Sequence, residues 1–279
     1  MNCTANTDRP FLRWAGGKKW LTDFVLSLTK ELEINHYYEP FLGGGAVFFA
    51  LKPQKATLSD INSELIRTYI ILREKPEEVI SILKTFQNDS ECYYRIRSEI
   101  CQDDVYMCAR FIFLNQTSYN GLYRVNRTGQ YNVPFGRRNI DFIKEDHLRH
   151  VSQLLQGVDL RCGDFGNYEN EIQAGDLVFL DPPYTISHNQ NGFIKYNQHL
   201  FSLDDQYRLK RFIDRIKEQG AYYILTNAAH ATIREIFDDG DAMYTLNRHS
   251  TIGGNQAQRG HVDEYVFTNI AARCEYGLD

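Results

Sequence analysis

Six cysteines are scattered through the 279 residues without a C-x-x-C pair, and no H-E-x-x-H accompanies them. That spacing argues against a disulfide framework and against a zinc site, and no metal is expected. Cys3, Cys92, Cys101, Cys108, Cys162 and Cys274 read mostly as buried small hydrophobes. No apolar run nears the ~20 residues of a membrane span. Residues 1–10 are polar and lack the apolar stretch of a secretory signal, so a soluble protein in a reducing, cytoplasmic compartment is expected. Internal repeats, low-complexity tracts and linkers are missing too. Gly16-Gly17-Lys18 lacks the first glycine of G-x-x-x-x-G-K and has no strand before it, and Gly43-Gly44-Gly45 does not match G-x-G-x-x-G. These gaps weaken a P-loop or a dinucleotide-dependent oxidoreductase.

What is present is ordinary in amount and uneven in placement. Hydrophobic residues make up 43% and charged residues 24%, and a chain of this length buries roughly three quarters of its unfolded surface. The net charge of -5 argues mildly against a nucleic-acid partner. Residues 110–140, however, hold five arginines and no acid, 9–20 hold four basic residues and no acid, and 242–262 hold two arginines, two histidines and no acid. Three basic stretches on an acidic body favour an anionic partner over scattered solvated charge.

The chain is organised around Leu177-Val178-Phe179-Leu180 running into Asp181-Pro182-Pro183-Tyr184. Four consecutive apolar residues predict a strand buried on both faces, as in the middle of a parallel sheet. The two prolines stop the ladder and forbid an immediate helix, which leaves Asp181 and Tyr184 beyond the strand end, where open α/β sheets bind ligands. A turn initiator followed by a rim tyrosine is the bland alternative.

Earlier in the chain, Tyr37-Tyr38-Glu39 enters Pro40-Phe41-Leu42-Gly43-Gly44-Gly45 and then an apolar segment, a strand, glycine turn and helix that bring backbone N–H groups close to a ligand. A second short strand over 56–60 ends in Asp60, about 20 residues after the turn, where a carboxylate accepts from ribose hydroxyls. Asp60 also suits an N-cap for a helix over 62–73. Helical spacing follows over 76–86, 93–100 and 105–114. The stretch 115–138 is rich in Asn, Tyr, Gly and Arg, with a hairpin-like turn at Thr128-Gly129. It suits base edges, phosphates and stacked bases, or alternatively a tyrosine-rich protein-binding surface. The sheet pattern resumes at 158–160, followed by a turn at 163–165. After the central strand come a helix over 203–217, a strand over 222–226, a short helix over 229–237, a polar loop over 247–260 and a last strand over 262–269.

In this order W-A-G-G-K, E-P-F-x-G-G-G, S-D-I-N, Y-N-G-L-Y-R…N-V-P-F-G and D-P-P-Y resemble the α-group, Dam-type DNA adenine-N6 methyltransferases. The resemblance covers roughly residues 11–269. It implies an α/β fold, a Rossmann-like methyltransferase sheet with an inserted, mostly helical DNA-recognition domain carrying a β-hairpin. Residues 1–74 and 157–279 would form the S-adenosylmethionine-binding catalytic domain and 75–156 the target-recognition domain. Double-stranded DNA is the implied partner, in a bacterial or phage-encoded protein acting as a monomer, alone or beside a restriction enzyme.

The resemblance also implies roles. Trp14, Ala15, Gly16, Gly17 and Lys18 would lie in the cofactor site, and Glu39, Pro40, Phe41, Gly43 and Gly45 would form the turn under the methionine and ribose. Asp60 would take the ribose hydroxyls, Ile61 would lie against adenine, and Asp164 and Phe165 would contact the adenine end. Asp181, Pro182, Pro183 and Tyr184 would hold the flipped target base, with Asp181 also bordering the cofactor. Arg13, Tyr119, Asn120, Leu122, Arg124, Asn126, Pro134 and Arg137 would meet DNA. Gln116-Thr117-Ser118 departs from members that carry a basic residue there, which bears on whether the site read is their GATC. N4-cytosine methylation is a rival that Asp before P-P-Y disfavours, and a non-catalytic nucleotide- or DNA-binding protein is another that the intact D-P-P-Y disfavours.

Overall fold

The computed structural model describes residues 8–126, 128–184, 201–249 and 261–271. Among them, β1 (Tyr37–Glu39), β2 (Ala56–Asp60), β3 (Asp159–Cys162), β4 (Leu177–Leu180), β5 (Tyr222–Ala228), β6 (Ala242–His249) and β7 (His261–Thr268) form one seven-stranded mixed sheet. Its order is β3-β2-β1-β4-β5-β7-β6. The helices are α1 (Thr22–Thr29), α2 (Ala46–Leu51), α3 (Ser63–Glu74), α4 (Pro76–Leu83), α5 (Ser90–Ser98), α6 (Asp104–Thr117), α7 (Glu145–Leu154), α8 (Leu203–Glu218) and α9 (Ala231–Phe237). This is the Rossmann-like α/β class that the resemblance implies.

β4 is buried at all four positions and runs parallel to β1 and to β5, with Leu177 beside Tyr37 on one side and Tyr222 on the other. Sequence order reverses between β1 and β4, so the carboxyl ends of these two strands, Glu39 and the residues after Leu180, flank a topological switch point. β7 then pairs antiparallel with β5, and β6 with β7.

Contacts divide the chain into two units. The first takes the chain up to Thr22 with Leu42–Lys52 and Leu58–Gly163; the second takes Asp23–Phe41, Pro53–Thr57 and the chain from Asp164 onward. In the first unit α6 is apolar nearly all round, burying Val105, Ala109, Phe111, Ile112, Phe113 and Leu114 as it packs on α3, α4 and α5. Side-chain caps at Asn62, Asp89 and Asp103 each accept an early N–H of α3, α5 and α6. In the second unit, Tyr38, Val178, Leu180, Tyr223 and Leu225 from the sheet meet Leu209, Phe212 and Ile213 of α8. That helix begins in a capping box formed by Ser202 and Asp205.

Three readings of the sequence change. The polar loop expected over 247–260 begins later, because Asn247, Arg248 and His249 continue β6, paired with Asp263, Val262 and His261. β6 is an edge strand bonded to one neighbour, so polar residues suffice for it and its sequence lacks the strong apolar alternation of an inner strand. Residues 250–260 lie outside the described residues, as do Cys3, Cys274 and Arg127. The helix after Asp60 is capped by Asn62, whose Oδ1 accepts from the Leu65 N–H at 3.1 Å. The basic stretch 110–140 presents less charge than its count suggests. Buried Arg110 donates to the Ile96 and Arg97 carbonyls at 3.0 and 2.8 Å, and Arg138 donates to the Gln116 carbonyl at 2.7 Å, where it closes the end of α6.

Candidate active site

In the second unit the two acidic strand ends at the switch point are held in different ways. Glu39 is buried and accepts the Tyr37 hydroxyl at 2.8 Å; burial and that neighbouring carboxylate push the Tyr37 phenol well above its ordinary pKa. Asp181 stands just past β4, and its Oδ1 accepts the hydroxyl of Thr226 at 2.8 Å. Thr226 is fully buried on β5, one residue beyond the Leu180 and Leu225 pair, so the neighbouring parallel strand fixes the rotation of the carboxylate. Pro182 is buried, while Pro183 and Tyr184 are partly exposed beyond the strand end. Asn227, the next residue of β5, donates to Gln206 Oε1 at 3.0 Å inside the core, which braces the end of the strand against α8.

An aromatic cluster lies in the same unit. Phe41, half-buried after Pro40, packs against Phe165 at 5.5 Å and edge-on to Phe201 at 5.7 Å between ring centroids. Asp164 caps the short helical turn Phe165–Tyr168 by accepting the Gly166 N–H at 2.9 Å. Its other oxygen accepts from Arg208 at 2.7 Å, and the Arg208 guanidinium lies 4.3 Å over the Phe165 ring.

The first unit holds the glycine turn and the second acid. Asp60 accepts the Gly43 N–H on Oδ2 and the Asn62 N–H on Oδ1, both at 3.0 Å. Burial pushes its carboxyl above the usual range, and the N–H groups of Asn62, Gly43 and Ile61 only partly offset this. Gly43 has φ +48, and a Cβ there would stand 2.6 Å from Trp14 Cδ1, so only glycine lets the turn close on the indole. Trp14 starts a tight turn closed by the Gly17 N–H on its carbonyl at 3.1 Å, with Ala15 and Gly16 at its tip. Lys18 folds back, buried, to donate to the Gly16 carbonyl at 3.1 Å. Ile61 leaves 75% of its surface in solvent immediately after Asp60, an unusual exposure for an aliphatic side chain.

The segment rich in Asn, Tyr and Arg belongs to the same unit and has the expected hairpin character in two bridges, Ser118 with Phe135 and Val125 with Tyr131. Gly129 closes the turn by donating to the Asn126 carbonyl at 3.0 Å. The Asn126 side chain is engaged in that turn, accepting from the Thr128 N–H and hydroxyl and from the Gln130 N–H. Tyr119, Asn120, Arg124, Pro134 and Arg137 are exposed, and Leu122 is half-buried. Asn120 and Arg137 take left-handed backbone at φ +56 and +52. Arg124 reaches across the hairpin to Asn132 Oδ1 at 2.7 Å. Arg13 is gripped on its main chain by one amide: Asn115 accepts its N–H at 2.8 Å and donates to its carbonyl at 2.7 Å. Its side chain lies on Gly121, where a Cβ would stand 2.6 Å from Arg13 Cδ.

Sequence reading missed Thr226 and Asn115, whose roles depend on a neighbouring strand and on a partner 102 positions away. A signal existed for Thr226: a hydroxyl ending an otherwise apolar strand beside the Asp181 strand. Among the described residues no group of three or more His, Cys, Asp or Glu side chains forms a metal cluster, and no helix is long and apolar enough to cross a membrane.

Comparison with known proteins gives the family. Residues 14–252 match the family model described as D12 class N6 adenine-specific DNA methyltransferase. The type II methyltransferase M1.LlaDCHI of Lactococcus lactis subsp. cremoris is 35% identical over 94% of this chain and 95% of its own. The type II methyltransferase M.MjaIII of Methanocaldococcus jannaschii is 38% identical over 79% of this chain and 84% of its own. The DNA adenine methylase of Salmonella typhi is 30% identical over 93% and 94%. With an intact Asp181-Pro182-Pro183-Tyr184 at the switch point and a match spanning most of its length, this chain belongs to the D12 class of N6 adenine-specific DNA methyltransferases.

Proposed function

We propose that the protein transfers a methyl group from S-adenosylmethionine to N6 of an adenine extruded from duplex DNA at a short specific sequence, with GATC as the first candidate. The observation that carries this reading is the Asp181 carboxylate, oriented by Thr226 at the carboxyl end of the central strand and followed by a proline carbonyl and a tyrosine ring. The N6 lone pair is conjugated with the purine ring and is a poor nucleophile. Two acceptors aimed at its hydrogens, the Asp181 carboxylate and the Pro182 carbonyl, favour a pyramidal nitrogen and stabilise the positive charge that develops there. Tyr184 offers a stacking face that offsets the few kcal/mol of taking the base out of the helix.

The residues fit the cofactor. S-adenosylmethionine, when bound, supplies a methyl group on a sulfonium centre. Asp60, already fixed by two N–H groups, retains acceptor capacity for ribose hydroxyls, because each carboxylate oxygen carries more than one lone pair. Ile61 presents an uncovered aliphatic face suited to a purine ring. Glu39, Pro40, Phe41, Gly45, Asp164 and Phe165, with Trp14 to Lys18, complete the assigned contacts. Residues 75–156 are assigned to target recognition, with Arg13, Tyr119, Asn120, Leu122, Arg124, Pro134 and Arg137 toward DNA. Asn126 serves there by shaping the turn.

Within Gln116-Thr117-Ser118, the stretch that departs from members with a basic residue there, Gln116 donates to the Phe11 carbonyl. The sequence read is the property that this departure bears on most directly. Tritiated-methyl transfer to unmethylated mixed-sequence duplexes that include GATC, with adenine and cytosine separated after hydrolysis, followed by modified-base sequencing of treated genomic DNA, tests base and site together. Label in cytosine, or none in either, refutes the proposal; label in adenine outside GATC refutes only the assigned sequence.

A further inference from the structure

Tyr123 sits inside the segment assigned to DNA, next to Arg124, yet its side chain turns toward the glycine turn of the same unit. Its ring stacks on Trp14, with centroids 5.4 Å apart and planes 21° from parallel. Its hydroxyl donates to Glu64 Oε2 at 2.9 Å, in the first turn of α3 and four residues after Asp60. Glu64 in turn faces the buried Arg110 of α6 at 3.6 Å. Trp14 presses its edge on Gly43, and the Gly43 N–H donates to Asp60. A continuous series of contacts thus runs from the hairpin to both groups assigned to the cofactor, without leaving this unit. Phe111 and Tyr131 pack on the Tyr123 ring at 5.3 and 5.8 Å.

We infer that Tyr123 is a positioning residue that couples DNA recognition to cofactor affinity. When DNA fixes the hairpin, Tyr123 is held at one position, and through its stack it holds Trp14 on the Gly43 turn. A Trp14 so held leaves the turn less freedom to lose when the cofactor binds, and by linkage the cofactor then tightens DNA binding by the same factor. This inference rests on the function proposed above.

The test uses the full chain and S-adenosylhomocysteine, the demethylated and unreactive form of the cofactor, titrated calorimetrically with and without the methylated duplex. The parent protein is expected to bind it about fivefold or more tighter with the duplex present, within the usual range of allosteric coupling. In Tyr123→Ala that ratio falls to about one, while affinities for each ligand alone stay within about twofold. Tyr123→Phe keeps the stack, loses the bond to Glu64 and gives an intermediate ratio.

The chain has only two tryptophans, so a Trp20→Phe background leaves Trp14 as the reporter. Its emission changes on duplex addition in that background and in Tyr123→Phe. Undiminished coupling in Tyr123→Ala, no coupling in a parent that binds both ligands, or Trp14 emission indifferent to duplex overturns the inference. A parent that binds neither ligand overturns the proposed function, and the inference falls with it.

Discussion

Asp60 ends one buried strand and Asp181 follows another, yet the chain immobilises them by opposite means. Asp60 is held by its own neighbourhood: the Asn62 N–H lies two residues on and the Gly43 N–H comes from the preceding turn. Asp181 is held by a side chain on another strand, Thr226, 45 positions away. The Asn62 backbone donor survives substitution of its own side chain and the Gly43 donor requires glycine for its turn, whereas the hydroxyl donor of Thr226 is lost with a single residue change. The first acid therefore has two local backbone donors, and the second depends on one distant side chain.

The most severe test of that contrast is Asp181→Ala, expected to lower single-turnover rates by about 10²–10³ while the protein stays folded and binds cofactor, because the group lies beyond the strand rather than in the core. Near-normal turnover with adenine as acceptor would remove Asp181 from the reaction. Thr226→Val is nearly isosteric and takes away the hydroxyl alone. A fall in turnover of about 10-fold to 100-fold is expected, matching the ~1.5–3 kcal/mol of a hydrogen bond to a charged group, with Thr226→Ser restoring most of it. Equal losses in both variants would mean that Thr226 acts by packing.

On the other side of the comparison, Asp60→Ala should weaken cofactor binding by about 1–3 kcal/mol in calorimetry. Asn62→Ala should cost ~1 kcal/mol of stability in denaturant unfolding, the usual value for a helix N-cap, and leave cofactor affinity unchanged. If Asn62→Ala weakened cofactor binding as much as Asp60→Ala, acid and cap would be one functional unit.

The smallest effect is on pH dependence, where the raised carboxyl of Asp60 gives two signs. Ribose hydroxyls donate to the ionised form, so cofactor affinity should fall as pH drops through the raised folded value, beginning above the ordinary aspartate range, and should level off toward neutrality. Stability moves the other way. A carboxyl whose folded pKa exceeds its unfolded value contributes stability that is fully present below the unfolded pKa and is lost as pH rises through the folded one. Thermal unfolding of the parent against Asp60→Asn across mildly acidic pH checks the second sign, and calorimetry the first. A parent and variant with parallel pH profiles would contradict both.

Much of this was legible in the chain itself. Leu177 to Leu180 could only be an inner strand, the two prolines after Asp181 could only end it, and Gly43 to Gly45 before an apolar helix announced a close turn. What was not legible depends on pairing. The Thr226 hydroxyl gains its meaning from register with β4, and Asn62 from the backbone angle at which α3 starts. β6 escaped because an edge strand needs no apolar alternation. The arginines of 110–140 looked alike in sequence, and only packing separates Arg110 and Arg138, which bind helix carbonyls, from the exposed Arg124 and Arg137.

The grip of Asn115 on Arg13 also sets an order of events during synthesis. The two residues are 102 positions apart, and the segment from Phe11 to Lys18 finds its partners in the first unit on the glycine turn, α3, α6 and the hairpin. At about 5–20 residues per second, roughly 5–20 s separate the emergence of Arg13 from that of Asn115. Throughout that interval Phe11, Leu12 and Trp14 have no finished surface to cover them. The stretch that ends up against the glycine turn is thus made well before the helix that grips it, and its apolar side chains wait for a surface made later.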